Sequence, residues 1–180
     1  MGGFNPFHHT NTLTLSFTIS ARETFMSVNE QPLHVAIQDL TPVFIAYVSC
    51  QLQQATGSYN EQIRDGFQHI KDWARQCGYD PSALKVIGIP RTNGAQLVGY
   101  ECALELPEAI SQDTEDIQTK QLPGGRYAIL SLEKDSNTIG ETIGRFFAEY
   151  VPQHQLIVDS QRPSYEVYYE HTMDFCVPLR

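Results

Sequence analysis

Apolar residues in Asn11–Ser20 (NTLTLSFTIS) fall on every second position: Leu13, Leu15, Phe17 and Ile19 share one face, with Thr and Ser on the other. That period predicts a half-buried strand in an N-terminal extension, residues 1–32. His34–Cys50 follows as an apolar, extended segment interrupted by Pro42. Proline cannot donate to a ladder, so the interruption implies an edge, a bulge or a kink. The period then changes: Tyr59, Ile63, Phe67, Ile70, Ala74 and Cys77 recur at helical spacing. Ser58 and Glu61 have capping-box spacing, and Gly78 can close the helix in a left-handed cap, so a helix over Tyr59–Cys77 is predicted. Ala83–Ile89 and Leu97–Leu106 read as strands, with a turn signal at Asn93-Gly94 between them.

After a polar, acidic linker (Pro107–Asp116) the same order restarts. Asp116–Leu132 is extended, with a Pro-Gly-Gly interruption. Asn137–Val151 places Ile139, Ile143, Phe146, Phe147 and Tyr150 on a helical face and meets Pro152, which stops it. Two strands follow in SYEVYY and MDFCVPL, with a candidate turn at Glu170–Thr172. Leu40, Ala46 and Val48 align without gaps on Leu122, Ala128 and Leu130. The chain therefore predicts an α+β fold of duplicated βαββ units, residues 33–107 and 116–180. Together they would form one antiparallel sheet with two helices on one face and a central groove.

Composition narrows the partners. A formal net charge of −9 argues against direct nucleic-acid binding, which needs a basic surface to neutralise phosphates. No run approaches the length of a membrane span, and the first residues lack the basic stretch of a signal peptide, so a cytoplasmic location is expected. Cys50, Cys77, Cys102 and Cys176 show no zinc spacing and read as free, buried thiols of a reducing compartment. His8-His9 alone does not make a metal site. Neither a metal nor a cofactor is expected.

One carboxylate stands out. In RPSYEVYY, Arg162–Tyr169, Glu166 lies among Tyr165, Tyr168 and Tyr169 in a strand-forming stretch. Alternation puts Glu166 and Tyr168 on one face, and Tyr165 and Val167 on the other. Two readings are open: a salt bridge to Arg126 or Arg162, or a charge held in a pocket. Asp174 could share that pocket, though a solvated edge suits it as well. Phe67 and Trp73 are helix-face aromatics, which most often serve as core.

LTPVFIAYV, GSYNEQIRDGFQHIKDWA, LPGGRYAIL, RPSYEVYY and MDFCVPLR, in this order, resemble successive motifs of the GyrI-like effector-binding domains. These are similar to the ligand-binding halves of multidrug-sensing transcription regulators. The resemblance runs from about His34 to Arg180 and implies the duplicated fold reached above. It also implies a central acidic residue in an aromatic pocket that attracts lipophilic cations; the matching position is Glu166. Around it the resemblance would place Tyr47, Tyr59, Tyr127, Tyr168 and Phe175, with Phe67 and Trp73 as further candidates. Gly57-Ser58-Tyr59 stands where the family has Gly-Pro-Tyr, and the last hairpin is short.

The implied function is a stand-alone module that senses or sequesters a lipophilic, cationic aromatic compound. No helix-turn-helix pattern is present, and residues 1–32 are too few and too strand-like for a DNA-binding domain. A DNA-binding regulator is then a possible protein partner. An alternative is a small-molecule hydrolase in which Glu166 activates water and Tyr127 assists. A further alternative is an acidic inhibitor of DNA gyrase, the family's namesake activity.

Overall fold

Pro42 and Pro123 break what the sequence presents as two long extended segments. Lacking an N–H, each ends a ladder, and four strands result: β1 (His34–Leu40), β2 (Val43–Gln51), β5 (Gln118–Leu122) and β6 (Gly125–Glu133). The remaining elements are α1 (Tyr59–Gln76), β3 (Val86–Asn93), β4 (Gln96–Leu106), α2 (Ile139–Arg145), β7 (Tyr165–Tyr168) and β8 (Thr172–Pro178). This computed structural model describes residues 32–52, 59–94, 96–110, 114, 116–135 and 137–180. The strand expected at Asn11–Ser20, His8-His9 and the Ser58 cap lie outside them.

The eight strands form one antiparallel sheet in the order β1-β6-β8-β7-β3-β4-β2-β5. Exchanging β1–β4 with β5–β8 reverses this order onto itself, as a pseudo-twofold axis between β7 and β3 requires. Each half has one strand more than the expected βαββ. That extra strand is lent across the molecule: β1 pairs with β6, and β5 pairs with β2.

This exchange forces the sheet to curl. In the sheet order β1 and β2 are six strand spacings apart, about 29 Å if flat, yet only Thr41 and Pro42 join them, a reach of about 11 Å. The β5–β6 link through Pro123 and Gly124 makes the same demand. The two links meet: a carbon added at Gly124 would fall 2.5 Å from Leu40 O and 2.7 Å from Pro42 N. Curling buries the face away from the helices as well, where Ile45, Ile87, Ala103, Leu122, Tyr127, Tyr165 and Val167 share one cluster.

Both helices cover the other face. α1 buries Gly66, Ile70, Trp73 and Ala74 against Ala46, Tyr100, Cys102 and Leu104 of β2 and β4. The helical segment after α2 buries Phe146 against Ala128, Leu130, Phe175 and Val177 of β6 and β8. Strands β8, β7 and β3 lie between the helices as the floor of a groove. Local differences from expectation have local causes. The strand expected from Ala83 starts only at Val86, because residues 81–83 form a 3-10 turn in which the Asp80 carboxylate accepts from Ser82 N (2.9 Å) and Ser82 Oγ (2.7 Å). Pro152 does not end its helix at once. The preceding turn, Phe146–Tyr150, widens to a π turn in which Val151 N donates to Phe146 O, and a last turn, Val151–Gln153, follows. The widening relieves the clash of the Pro152 ring with the carbonyl four residues back.

Candidate ligand site

Glu166 projects from β7, at the middle of the groove floor, and is 9 % exposed. Register fixes its surroundings: it sits opposite Gly88 on β3 and Phe175 on β8. Tyr100 belongs to β4, one strand further, and is paired with Pro90 rather than Gly88. Its ring reaches the carboxylate by lying over Gly88, where an added Cβ would stand 1.9 Å from the Tyr100 hydroxyl oxygen. Any side chain at position 88 would block that path.

Two phenols converge on one carboxylate oxygen. Tyr100 OH and Tyr168 OH both donate to Glu166 Oε2, the latter at 2.5 Å, and the two hydroxyl oxygens are 2.8 Å apart. Among the described residues Oε1 has no hydrogen-bond partner, and no cation stands within ion-pair distance of Glu166. The contrast with the other buried glutamate is informative. Glu101, on the far face, is held by Arg91 (2.6 Å) and by Lys120. Glu166 is buried without such compensation. Burial raises its pKa above the usual carboxylate range, and the two phenol hydrogen bonds oppose the rise. Burial, and then the Glu166 charge, also push the Tyr100 and Tyr168 phenols up, so both remain protonated donors at any ordinary pH.

Aromatic rings line both sides. Phe67 of α1 meets Tyr100 (6.1 Å between centroids) and Tyr168 (5.7 Å) edge to face. Toward the second helix, Phe175 contacts Phe147 edge to face at 6.3 Å. Phe147 is 41 % exposed, a large apolar ring presented to solvent beside the groove floor. The result is a row of rings running from α1 across β4, β7 and β8 to the second helix, with one carboxylate in the middle.

Of the residues singled out in the sequence, the structure brings Glu166, Tyr168, Phe67 and Phe175 together. Tyr59 and Trp73 lie in the cluster beneath α1, which meets the site at Tyr100 and Phe67. Tyr47 and Tyr127 lie on the opposite face of the sheet. Tyr47 OH donates to Gln118 Oε1 (2.7 Å), and Lys120 stands over its ring at 4.3 Å. Tyr127 OH donates to Pro123 O (2.9 Å), and its ring packs on Tyr165. The Glu166–Tyr127 pair considered for hydrolysis is therefore not formed. Arg162 is committed elsewhere, to Asp159 and to the carbonyls of Gly124 and Leu179. Asp174 is on the far face, accepting from Ser131 and Tyr169. Tyr100 and Phe147 were not among the sequence candidates. Gly88, between the β-branched Ile87 and Ile89, was the available sign of a side chain crossing the backbone.

Comparison with known proteins agrees with this architecture. A SPbeta prophage-derived protein of Bacillus subtilis (strain 168), YosT, named as a transcriptional regulator, is 26% identical over 120 residues, covering 65% of this chain and 77% of its own. Among solved structures, the EcmrR C-terminal domain superposes with a TM-score of 0.61 at 8% identity, over 83% of this chain and 99% of that one. A hydrolase from Listeria innocua gives 0.57 at 8% identity, over 81% and 91%. SAV2435 bound to tetraphenylphosphonium gives 0.52 at 12% identity, over 82% and 94%. At these identities the structural matches establish the fold alone. Residues 35–179 match the GyrI-like small molecule binding domain, and the chain belongs to that family.

Proposed function

We propose that the groove between the helices receives a lipophilic aromatic cation, with Glu166 as its counter-charge. The observation that carries this reading is a buried carboxylate that, among the described residues, has one oxygen unbonded and no cation nearby, with aromatic rings on both sides. A buried ionised carboxylate costs several kcal/mol unless it is paired. A bound cation offsets that cost, and each good ring contact adds about 0.5–2 kcal/mol. Phe67, Tyr168 and Phe147 present ring area to such a ligand, and the Tyr100 and Tyr168 hydroxyls hold the carboxylate in place. That SAV2435 binds tetraphenylphosphonium supports the same ligand class for a domain of this fold. The acidic chain favours a sensing or sequestering role in which any DNA contact belongs to a partner.

Calorimetry with tetraphenylphosphonium and with a neutral aromatic of similar size tests the reading. Glu166 has a raised pKa in the empty protein, and a cation favours its ionised form. Binding therefore releases protons, and cation affinity rises as pH passes upward through that pKa. Glu166→Gln keeps the shape and should weaken the cation at least about tenfold, about 1.4 kcal/mol, while sparing the neutral compound and removing the pH dependence. Equal affinities of both proteins for both compounds would refute it.

A further inference from the structure

Two thiols lie side by side beneath α1, next to the ligand face. Cys50 on β2 and Cys102 on β4 are diagonal neighbours, since the register pairs Cys50 with Tyr100 and Val48 with Cys102. Their Sγ atoms are 3.9 Å apart, and both cysteines are free. Cys50 is half-buried and accessible, whereas Cys102 is fully buried and its sulfur also lies 3.4 Å from Ile63 O. The helix closes over the pair at Gly66, where an added Cβ would stand 2.5 Å from Cys50 Sγ and 2.8 Å from Cys102 Sγ. The hydrogen bond from Cys102 brings the Cys50 thiol down to about 7, against the upward push of burial. A half-buried thiol of that kind beside a second cysteine is the arrangement that reacts with peroxides.

We propose that Cys50 and Cys102 form an oxidisable dithiol, closed to a disulfide by hydroperoxides, and that closure resets the packing of α1 over the ligand face. The Cys50 thiolate attacks the peroxide O–O bond, becomes a sulfenic acid and releases water or an alcohol. The Cys102 sulfur then attacks the Cys50 sulfur, forming the S–S bond and expelling the sulfenic oxygen as water. The two thiols give up two protons and two electrons, which the peroxide accepts. Closure shortens the sulfur–sulfur distance from 3.9 Å to about 2.05 Å, and the displacement falls on β2, β4 and the Gly66 turn of α1. Gly66 adjoins Phe67, and Cys102 lies opposite Gly88 and two residues from Tyr100. The elements that move thus carry the rings packed on Glu166.

The experiment treats the full chain with hydrogen peroxide and maps disulfides by mass spectrometry. Closure should link the Cys50 and Cys102 peptides with loss of two hydrogens, and a dithiol reductant should reverse it. Cys102→Ala should leave a Cys50 sulfenic acid that dimedone traps, and Cys50→Ser should give neither product. Trp73, the one tryptophan, shares a cluster with Cys102, so its emission should shift on oxidation of the wild type and not of Cys50→Ser. Tetraphenylphosphonium affinity should change by at least about fivefold between the two redox states; this last arm rests on the ligand class proposed above. Thiol loss shared equally with Cys77 and Cys176, or links between chains only, would overturn the dithiol. A Cys50–Cys102 link with unchanged Trp73 emission would overturn the coupling. Failure of the reduced protein to bind the cation refutes the ligand assignment instead, with the mass and emission results still deciding the dithiol.

Discussion

Tyr100→Phe removes one oxygen atom and keeps the ring over Gly88 and against Phe67, so it takes away the bond to Glu166 Oε2 together with the 2.8 Å contact to Tyr168 OH, and the cycle with Glu166→Gln below separates the two. A hydrogen bond to a charged group contributes about 1.5–3 kcal/mol and one between neutral groups about 0.5–1.5. Tyr100 is 4 % exposed, so solvent does not replace the lost donor. The change should therefore cost about 2 kcal/mol where Glu166 is ionised and about 1 kcal/mol where it is protonated. At this chain length that corresponds to a fall in Tm of roughly 4–8 °C in the first case and half as much in the second. The direction with pH follows from linkage. Glu166 has its pKa raised on folding, so the stability tied to its protonation is fully present below the unfolded carboxylate pKa. It is lost as pH rises through the folded value. Removing a donor that favours the ionised form raises that value further, and the variant loses more stability at high pH than at low. Urea unfolding of both proteins between about pH 4.5 and 9, with a double-mutant cycle against Glu166→Gln, measures it. A destabilisation that is the same at every pH and additive with Glu166→Gln would mean that the phenol does not act on the carboxylate.

Two further outcomes follow from the same geometry. Gly88→Ala should displace the Tyr100 ring from Glu166, destabilise the protein by about 1–3 kcal/mol and abolish the Tyr100→Phe increment, both read by urea unfolding; an unchanged increment would reject the crossing path. Gln155 closes the second helix at φ 52, with Leu156 N donating to Val151 O and Gln155 N to Pro152 O. Gly78 does the same at the end of α1 at φ 84, so Gln155→Gly should raise stability by about 0.5–1 kcal/mol in a thermal scan.

What the sequence by itself determined was local and periodic. The 3.6 period from Tyr59 and the period of two at Tyr165–Tyr168 depend on which neighbours share a face, and every residue carries that information in its immediate surroundings. The same alternation put Glu166 with Tyr168 and away from Tyr165. It could not place Tyr47 or Tyr127, because the curled sheet buries both faces of β2 and β6. VFIAYVSC and RYAILSL are apolar at odd and even positions alike, so nothing local marks the helix side. Only the pairing of β2 with β4, and of β6 with β8, decides that parity. Tyr100 reaches Glu166 from 66 positions away, through the chain of register β4-β3-β7 and the space above Gly88, neither of which exists before the sheet assembles. The exchange of β1 and β5 has the same origin. Prolines 42 and 123 announce a break, but the partner of each freed strand is chosen by the closure of the whole sheet, where backbone groups left unpaired at an edge find a ladder in the other half.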